Sequence, residues 1–488
     1  MTRRSLLVLY AIALGARLAW VIVFRDLGLG LDDMFQYDML ARSLAAGQGF
    51  RWYRPPDLER IAGLIGIDPA TITVPPEGIA STFRPPLYPA FLALIYLCAG
   101  WEQRLLAARG AQAALTASLA PLTALLAHRL GVKPRGAVIA GAILAVYPLL
   151  TLYPLTLLTE NLFWVLTLSS VMALLHAAAR GRRRDYAVAG VILGLAMLTR
   201  SVIAAFLPLA AGWTGKRGRN GARGALILSS IALGVTLPWA IRNSHLTGRP
   251  VFIETSLGYQ LFIGYYPGYN GYFTAEVAIQ PLKIINDAER DRWALQQTLN
   301  FIRAAPLQTP LLILYKWGYF WGLEKRGLIY FYSNGFFGYL PPYVLLPLLA
   351  IFILPPVVVV TLALPGMVCP PSGGRHPPPA TTTPSDAYAA GWELCLLFTG
   401  AYILPHLITI AEDRFHLTLL PYLAACAGHA WSARAEINHC LRTDRRRYWL
   451  IIGLLVSFGL IWGGELVRDW STLTALLGPQ GWQMHLSY

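Results

Sequence analysis

Two adjacent carboxylates, Asp32 and Asp33, follow soon after the first apolar run of the chain, residues 5–24. A carboxylate held at the boundary between water and lipid is costly unless it takes part in chemistry or pairs with a cation. The two acids also open an amphipathic stretch that predicts a helix over residues 34–46. A carboxylate in this position can accept a proton from an attacking hydroxyl group. We therefore interpret this segment as the edge of an active site.

Further charged residues are predicted to lie within the membrane or at its outer boundary. Glu160 comes at the outer end of an apolar helix, and Arg200 lies inside an apolar run. Ions inside a membrane usually pair with one another or contact a ligand. A purely structural Glu160–Arg200 pair is therefore the alternative to a functional role for each. The other candidates in this group are Arg84, Arg242, Glu254, Lys316, Glu412, Asp413 and Arg414.

The elements that must position these residues are membrane helices. Of the 488 residues, 56% are apolar and 13% are charged, and the mean hydropathy is +0.49. This composition is outside the soluble range and predicts an all-α polytopic membrane protein. Apolar runs bounded by charge, proline or glycine predict about eleven spans. They are residues 5–24, 107–129, 134–152, 155–178, 185–199, 201–214, 223–241, 340–364, 392–411, 415–432 and 448–465.

Clusters of arginine and lysine set the predicted orientation. The basic loops at residues 180–184, 216–219 and 442–447 should be cytoplasmic. All three fall inside only if residues 86–100 enter the membrane halfway and residues 311–323 lie along its outer surface. The N-terminus is then inside and the C-terminus outside. The net charge of +15 is then almost entirely cytoplasmic, so orientation and anionic lipid explain it better than nucleic acid.

The chain divides into six predicted parts. Residues 1–241 form a catalytic transmembrane module with an outer loop at 25–85, in which juxtamembrane helices are expected near residues 34–46 and 57–65. Residues 242–339 form a second outer loop with interfacial helices, one of them around residues 287–304. The remaining parts are a transmembrane helix at 340–364, a Pro/Thr-rich cytoplasmic linker at 365–391, C-terminal transmembrane helices at 392–465 and an outer tail at 466–488.

The five cysteines are predicted to lie in membrane or cytoplasmic segments, and no CxxC spacing occurs. We therefore expect neither a disulfide nor a cysteine metal site. The five are Cys98, Cys369, Cys395, Cys426 and Cys440.

A series of short motifs, in order along residues 1–435, resembles the class C glycosyltransferases, which share the GT-C fold. The similarity is to bacterial members related to protein O-mannosyltransferases and to the lipid A aminoarabinose transferase. No single motif is specific, but their order is. The motifs are Asp33-x-x-x-Tyr37, Arg84-Pro-Pro-Leu-Tyr88-Pro, Leu-Thr-Glu160, Leu-Thr-Arg200, Pro-Trp-Ala-Ile-Arg242-Asn, Glu254-Thr-Ser-x-Gly and Glu412-Asp-Arg414-Phe-His-Leu.

The resemblance implies a single sugar carried on a polyprenyl phosphate and transferred at the outer face of a bacterial inner membrane. It makes Asp33 the catalytic base. Relatives often have Asp-Glu at this point, whereas Met34 follows here and the additional acid, Asp32, precedes. Asp32 is therefore the candidate to take the place of the second acid of the relatives. Tyr37, Arg84, Tyr88, Glu160, Glu254 and Glu412 are the expected supporting residues.

The chemistry of such a transfer agrees with this assignment. An acceptor hydroxyl that attacks an anomeric carbon must lose a proton, which requires a carboxylate within reach. A phosphate leaves as a stable anion, so one base and cationic stabilisation suffice, and a single displacement inverts the anomeric centre. Arg200, Arg242 and Arg414 are the candidates for the donor phosphate. No metal-ligand spacing is present, although Asp32, Glu160 or His416 would allow a divalent ion.

Two other functions fit parts of the sequence. A lipid or sugar transporter would explain membrane-embedded Glu160 and Arg200, but neither an inverted repeat nor paired broken helices are evident. An oligosaccharide transferase that uses a pyrophosphate carrier would suit a larger outer domain than this chain provides. The acceptor, whether protein, lipid or glycan, is not indicated by the sequence, because the shape of the pocket decides it.

Overall fold

The computed structural model describes residues 1–30, 32–371 and 384–484. Within these ranges the protein is almost entirely helical, with one two-stranded sheet. The Pro/Thr-rich stretch on which the linker prediction depends, residues 377–384, lies outside the described residues except for Pro384. Helices extend into both ends of the predicted linker, to Val368 on one side and from Pro384 on the other.

The first half of the chain contains twelve α-helices. They are α1 Arg3–Val23, α2 Asp33–Ala45, α3 Pro55–Ile65, α4 Leu87–Ala99, α5 Arg104–Ala117, α6 Leu119–Arg129, α7 Pro134–Val146, α8 Pro148–Leu152, α9 Glu160–Arg180, α10 Arg183–Thr199, α11 Phe206–Arg217 and α12 Gly221–Thr247. Strands β1 Arg51–Trp52 and β2 Ile79–Ala80 pair in antiparallel fashion, with Arg51 opposite Ala80. This small sheet is not predictable from the sequence pattern, because each strand has only two residues.

The second half of the described chain contains eleven α-helices. They are α13 Leu257–Tyr265, α14 Ala275–Leu282, α15 Asp287–Ala304, α16 Gln308–Phe320, α17 Lys325–Ser333, α18 Pro342–Val368, α19 Pro384–Ile408, α20 Leu420–Ser432, α21 Arg434–Thr443, α22 Arg445–Arg468 and α23 Trp470–Leu476. A 3-10 helix at Asp413–Leu419 joins α19 to α20. Shorter 3-10 turns lie at Pro69–Thr71, Tyr153–Leu155, Ser201–Ala205 and Gly481–Gln483.

Seven helical segments of the described chain are long and apolar enough to cross a membrane. The pair Pro134–Val146 and Pro148–Leu155, bent by 52°, makes an eighth if it counts as one span. The other three predicted spans correspond to α10, α11 and α20, which have 17, 12 and 13 residues. A multi-pass membrane protein is therefore confirmed, while the count of about eleven spans stays a prediction. The seven are Arg3–Val23, Arg104–Arg129, Glu160–Arg180, Gly221–Thr247, Pro342–Val368, Ala387–Ile408 and Arg445–Arg468.

Small residues let the central helices approach closely. Helix α20 packs between α7 and α18. A Cβ atom added at Gly136 of α7 would lie 2.3 Å from the carbonyl oxygen of Gly428 in α20. One added at Gly366 of α18 would lie 2.0 Å from the carbonyl oxygen of Cys426. Close backbone contact of this kind is how membrane helices gain van der Waals packing without a hydrophobic driving force.

The prediction that no disulfide forms is wrong. Cys369, just after α18, is bonded to Cys440 of α21, with a Cα–Cα distance of 6.5 Å. The two residues are 71 positions apart in sequence, so only the packing of α18, α20 and α21 brings them together. Cys98, Cys395 and Cys426 are free thiols.

Candidate active site

Two cavities meet at the start of α2. One, the polar cavity, has a volume of about 420 Å³, and the other, the apolar cavity, has a volume of about 310 Å³. Asp33, Tyr259, Phe273 and Arg414 border both cavities. A group at this junction can therefore contact a ligand in each of the two cavities at the same time.

Nine of the eleven residues proposed from the sequence line these cavities. Asp32 borders the apolar cavity, and Asp33 and Arg414 border both. The polar cavity is also lined by Tyr37, Arg84, Glu160, Arg200, Glu254 and Glu412. The fold thus gathers charged groups from the first outer loop, from the ends of α9 and α10, and from the turn before α20.

The N-terminus of α2 fixes the two adjacent acids. Asp32 is the N-cap residue, and its Oδ1 accepts a hydrogen bond from the backbone N–H of Met34 at 2.8 Å. Asp33 is the first residue of the helix, where the unpaired backbone N–H groups and the helix dipole favour negative charge. The helix therefore begins at Asp33 because the preceding aspartate caps it.

Asp33 is held by a cation. Arg84 forms an ion pair with Asp33, and the same guanidinium donates to Gln36 Oε1 from Nη2 at 2.8 Å and from Nε at 3.0 Å. Burial favours the neutral form of Arg84, but Asp33 and the other acidic groups nearby together outweigh it and raise the pKa of Arg84. This contact fixes the direction of the Asp33 carboxylate at the junction of the cavities.

Asp32 lies in a different environment. Burial raises the pKa of Asp32 to about 6, and the neighbouring Asp33 charge acts in the same direction. The hydroxyl of Tyr330 in α17 donates to Asp32 Oδ2 at 3.4 Å. The two adjacent carboxyls therefore differ, since Arg84 pairs with Asp33 whereas burial dominates the surroundings of Asp32.

An ion pair joins the N-terminal end of α9 to the residue that follows α10. Arg200 Nη1 lies 2.5 Å from Glu160 Oε1 and donates to Thr159 Oγ1 at 3.4 Å. The Arg200 guanidinium also faces the rings of Phe163 and Phe415, 5.7 and 5.2 Å from their centroids. The pair is thus enclosed by aromatic rings and lines the polar cavity.

Two arginines share Glu412. Arg414 Nε lies 3.0 Å from Glu412 Oε2 and Arg326 Nη1 of α17 lies 3.3 Å from the same oxygen. Arg326 also lies over the ring of Tyr272, 4.2 Å from its centroid. The 412–414 turn is therefore tied to the second outer loop through one carboxylate.

Glu254 differs from the other acids of the polar cavity. Its carboxylate contacts the hydroxyl of Ser201 rather than an arginine. Burial raises the pKa of Glu254, and hydrogen bonds from Ser201 and Ser256 act against that rise. A carboxyl in this setting can hydrogen-bond to the hydroxyl groups of a ligand.

A buried network supports the turn that carries Arg414. His416 Nδ1 lies 2.9 Å from the carbonyl oxygen of Phe320, and its Nε2 lies 2.7 Å from Glu324 Oε1. The Tyr147 hydroxyl donates to the same Glu324 oxygen at 2.6 Å. These bonds join the break between α7 and α8, the end of α16 and the 3-10 helix Asp413–Leu419, in which His416 lies two residues after Arg414.

Two of the proposed residues lie away from both cavities. Arg242 donates to the carbonyl oxygens of Ser81 at 2.8 Å and Phe50 at 3.2 Å, and so holds the first outer loop against α12. Tyr88 is fully buried and donates to Gln112 at 2.6 Å. Arg242 therefore does not join the arginines of the polar cavity, because loop carbonyls occupy its guanidinium.

Four contributors are absent from the sequence analysis: Gln36, Ser201, Arg326 and Tyr330. Gln36 lies one α-helical turn after Asp33, so helical periodicity could have indicated it. Ser201 follows Arg200 directly and could have been included with it. Arg326 and Tyr330 come from a distant helix and have no local signal.

No metal site is evident among the described residues, where no group of three or more His, Cys, Asp or Glu side chains is suitably placed. The chemistry that the arrangement does provide is acid–base and electrostatic. It combines a carboxylate at the junction of two cavities with arginines whose charges could stabilise a leaving anion.

Comparisons with known proteins find similarity to one family over part of the chain. Residues 83–241 match the sequence model of the family described as dolichyl-phosphate-mannose-protein mannosyltransferase. Curated proteins give no match. Two crystal structures of the oligosaccharyltransferase from Archaeoglobus fulgidus, one tethered to an acceptor peptide and one in the apo form, are similar to 99% of the chain, each with a TM-score of 0.49 and with 14% and 13% identity. The chain spans 59% and 60% of their length.

The matched family segment begins at Phe83 and ends within α12. It includes Arg84, Glu160 and Arg200, which line the polar cavity. The match makes this part of the chain similar to that family, and the long apolar helices are those of a multi-pass membrane protein.

Proposed function

We propose that the protein transfers a single sugar from a polyprenyl-phosphate donor to an acceptor hydroxyl at the outer face of a bacterial cytoplasmic membrane. The observation that supports this most directly is the position of Asp33, which borders both cavities while Arg84 and Arg200 line only the polar one. An anion is stabilised where preorganised cations gather. The donor phosphate therefore belongs in the polar cavity.

The polar cavity also has a route for the lipid tail of the donor. Phe252 and Leu257, which line it, are 48% and 57% exposed. Both follow α12, which is long and apolar enough to span a membrane. Apolar side chains exposed near the end of a membrane-spanning helix are suited to contact with hydrocarbon. The tail leaves between these residues while the phosphate lies beside Arg84, Arg200 and Arg414.

Asp33 is the general base in this proposal. The acceptor hydroxyl loses its proton to the Asp33 carboxylate as its oxygen forms a bond to the anomeric carbon. The bond between that carbon and the phosphate oxygen breaks, and the polyprenyl phosphate leaves. Because one displacement occurs, the anomeric configuration is inverted.

The test uses purified protein in lipid vesicles and a donor with a tritium-labelled sugar. Labelled product should appear without any ion or potential gradient. The transferred sugar in this product should have the opposite anomeric configuration to the sugar in the donor. Movement of intact donor across the vesicle membrane, with no new glycosidic product, would instead favour a transporter. Product with the donor's anomeric configuration would contradict the single displacement.

A further inference from the structure

The walls of the apolar cavity are largely hydrocarbon. Among the described residues that line it, only Asp32, Asp33 and Arg414 carry charge. All three lie at the active-site end, where Asp33 and Arg414 also border the polar cavity. The cavity therefore has a charged end and a mostly apolar remainder; the uncharged polar side chains in its lining are Gln36, Tyr53, Tyr153, Thr156, Tyr259 and Tyr330.

Two amphipathic helices of the outer loops provide part of the apolar remainder. Helix α3 contributes Ile61, Leu64 and Ile65, and α14 contributes Ile279 and Leu282. Ile61 and Ile65 are buried, whereas Leu64 is 51% exposed. The hydrocarbon wall thus continues from the cavity to the surface of the outer loop.

This wall is a poor match for a hydrophilic acceptor. A peptide or glycan in the cavity would place amide or hydroxyl groups against leucine and isoleucine side chains, which cannot hydrogen-bond with them. Burial of polar groups without partners is costly. Hydrocarbon, by contrast, is favourable there because contact with the wall removes apolar surface from water.

We propose that the acceptor is a hydroxyl-bearing membrane lipid whose apolar part occupies the apolar cavity. This inference rests on the proposed function, which places the donor phosphate in the polar cavity. The lipid hydroxyl lies at the charged end, where Asp33 takes its proton. Its oxygen bonds to the anomeric carbon, the carbon–phosphate-oxygen bond breaks, and the products are a glycolipid and polyprenyl phosphate.

The experiment follows the label into three acceptor fractions. Cells that make the protein supply metabolically tritiated polyprenyl-phosphate sugars together with their membrane lipids, membrane proteins and surface glycans. Each fraction is incubated with the purified full-length protein and this donor. We expect label in a lipid that survives the mild acid that cleaves the sugar phosphate, and none in the protein or glycan fractions.

Adjacent positions on α3 provide a matched pair of variants. Leu64→Asp puts a charge on the cavity wall, whereas Gly63→Asp adds the same charge one residue earlier, where an added Cβ has nothing within 4 Å. We expect Leu64→Asp to lower transfer to lipid by about tenfold, the scale of losing the contact between a half-exposed leucine and a bound hydrocarbon chain. Gly63→Asp should retain the wild-type rate. Leu64→Ser covers the case in which the charged variant does not fold, and it should also lower transfer to lipid.

The outcomes separate this inference from the proposed function. Label in protein or glycan would overturn the lipid acceptor and leave the glycosyltransferase intact. Equal losses in Leu64→Asp and Gly63→Asp, or full activity in Leu64→Ser, would also overturn the lipid acceptor. The absence of transfer to all three fractions would overturn the proposed function, and this inference with it.

Discussion

Arg84 and Asp33 are in direct contact at the point where the two cavities meet, although 51 positions separate them in the chain. The contact brings the last part of the first outer loop against the first residue of α2. This contact keeps the Asp33 carboxylate beside the Arg84 guanidinium and directs the carboxylate toward both cavities. The proposed base is thus oriented before any substrate binds, which is a general requirement for efficient proton transfer.

Replacing Asp33 by Asn should abolish transfer. The amide keeps the size of the side chain but cannot accept a proton, so we expect a loss of about 10²- to 10⁴-fold in the rate. Donor binding should change little, because the arginines of the polar cavity remain. Single-turnover rates and donor binding to the purified protein would measure the two effects. Asp26→Asn is the matched control, since Asp26 has a 91% exposed side chain in the same loop. Wild-type rates in Asp33→Asn would remove Asp33 from the mechanism.

Variants of the Glu160–Arg200 pair should show separate effects on the stability of the protein and on donor binding. Arg200→Gln leaves Glu160 buried without its cation, and breaking a buried pair costs about 3–5 kcal/mol. The double variant Glu160→Gln/Arg200→Gln should recover most of that stability, because no lone charge remains. Its apparent donor affinity should stay weak. Thermal unfolding in detergent and the KM for donor would report the two properties.

A purely structural pair makes a different prediction for the same variants. In that case, the double variant would regain both stability and the wild-type KM. That result would place the donor phosphate elsewhere in the polar cavity.

The contribution of Asp32 to stability should change with pH in the opposite direction to that of a salt-bridged carboxylate. Its pKa is raised by burial to about 6, above the ordinary value of 3.8. The folded state therefore holds this proton more tightly than the unfolded state does. The contribution of Asp32 to stability falls as the pH rises from about 4 to 6, and is constant above that range. Asp32→Asn should flatten this part of the profile of melting temperature against pH. An identical profile in both proteins would contradict the raised pKa.

His416 should act on transfer through Arg414. His416→Ala removes the contacts to Phe320 and Glu324 and leaves a buried carboxyl with fewer partners, at a cost of about 1–3 kcal/mol. The turn that holds Arg414 should loosen, which raises the KM for donor. Tyr147→Phe removes only the other hydrogen bond to Glu324 and should affect stability more than KM. Equal KM values for the two variants would show that His416 has no positioning role.

The disulfide gives a prediction about thiol counts. With Cys369 and Cys440 bonded, the denatured protein should take up three maleimide groups without reductant and five after reduction. Cys440→Ser should take up four under both conditions. Loss of a bond that closes so long a loop should lower stability by about 3–5 kcal/mol. Uptake of five groups by the untreated protein would contradict the bond.

Helix positions were largely predictable from hydrophobic pattern. The segments expected at residues 34–46, 57–65 and 287–304 correspond to α2, α3 and α15. These helices have strong local signals, such as the Asp32 cap and the proline at the start of α3. The β1–β2 pair was not predicted, because two-residue strands carry no periodic signal. The division into domains remains a prediction.

Candidate site residues were predictable where a charged side chain interrupts an apolar run. Glu160 and Arg200 are of this kind, and they meet across two helices. Arg242 shows the limit of the approach, because sequence does not tell whether a guanidinium faces a cavity or a loop carbonyl. The Cys369–Cys440 bond depends in the same way on tertiary packing. Contacts between distant helices, such as Arg326 with Glu412, are set by the fold alone.

Each arginine of the polar cavity already has a carboxylate partner: Asp33 for Arg84, Glu160 for Arg200 and Glu412 for Arg414. A carrier that has lost its sugar is a phosphate monoester with more negative charge than the donor, and bare guanidinium groups would hold it firmly. Here the acids compete for the same guanidinium groups. In the proposed reaction, the ion pairs would therefore favour departure of the spent carrier and protect turnover against inhibition by its own product.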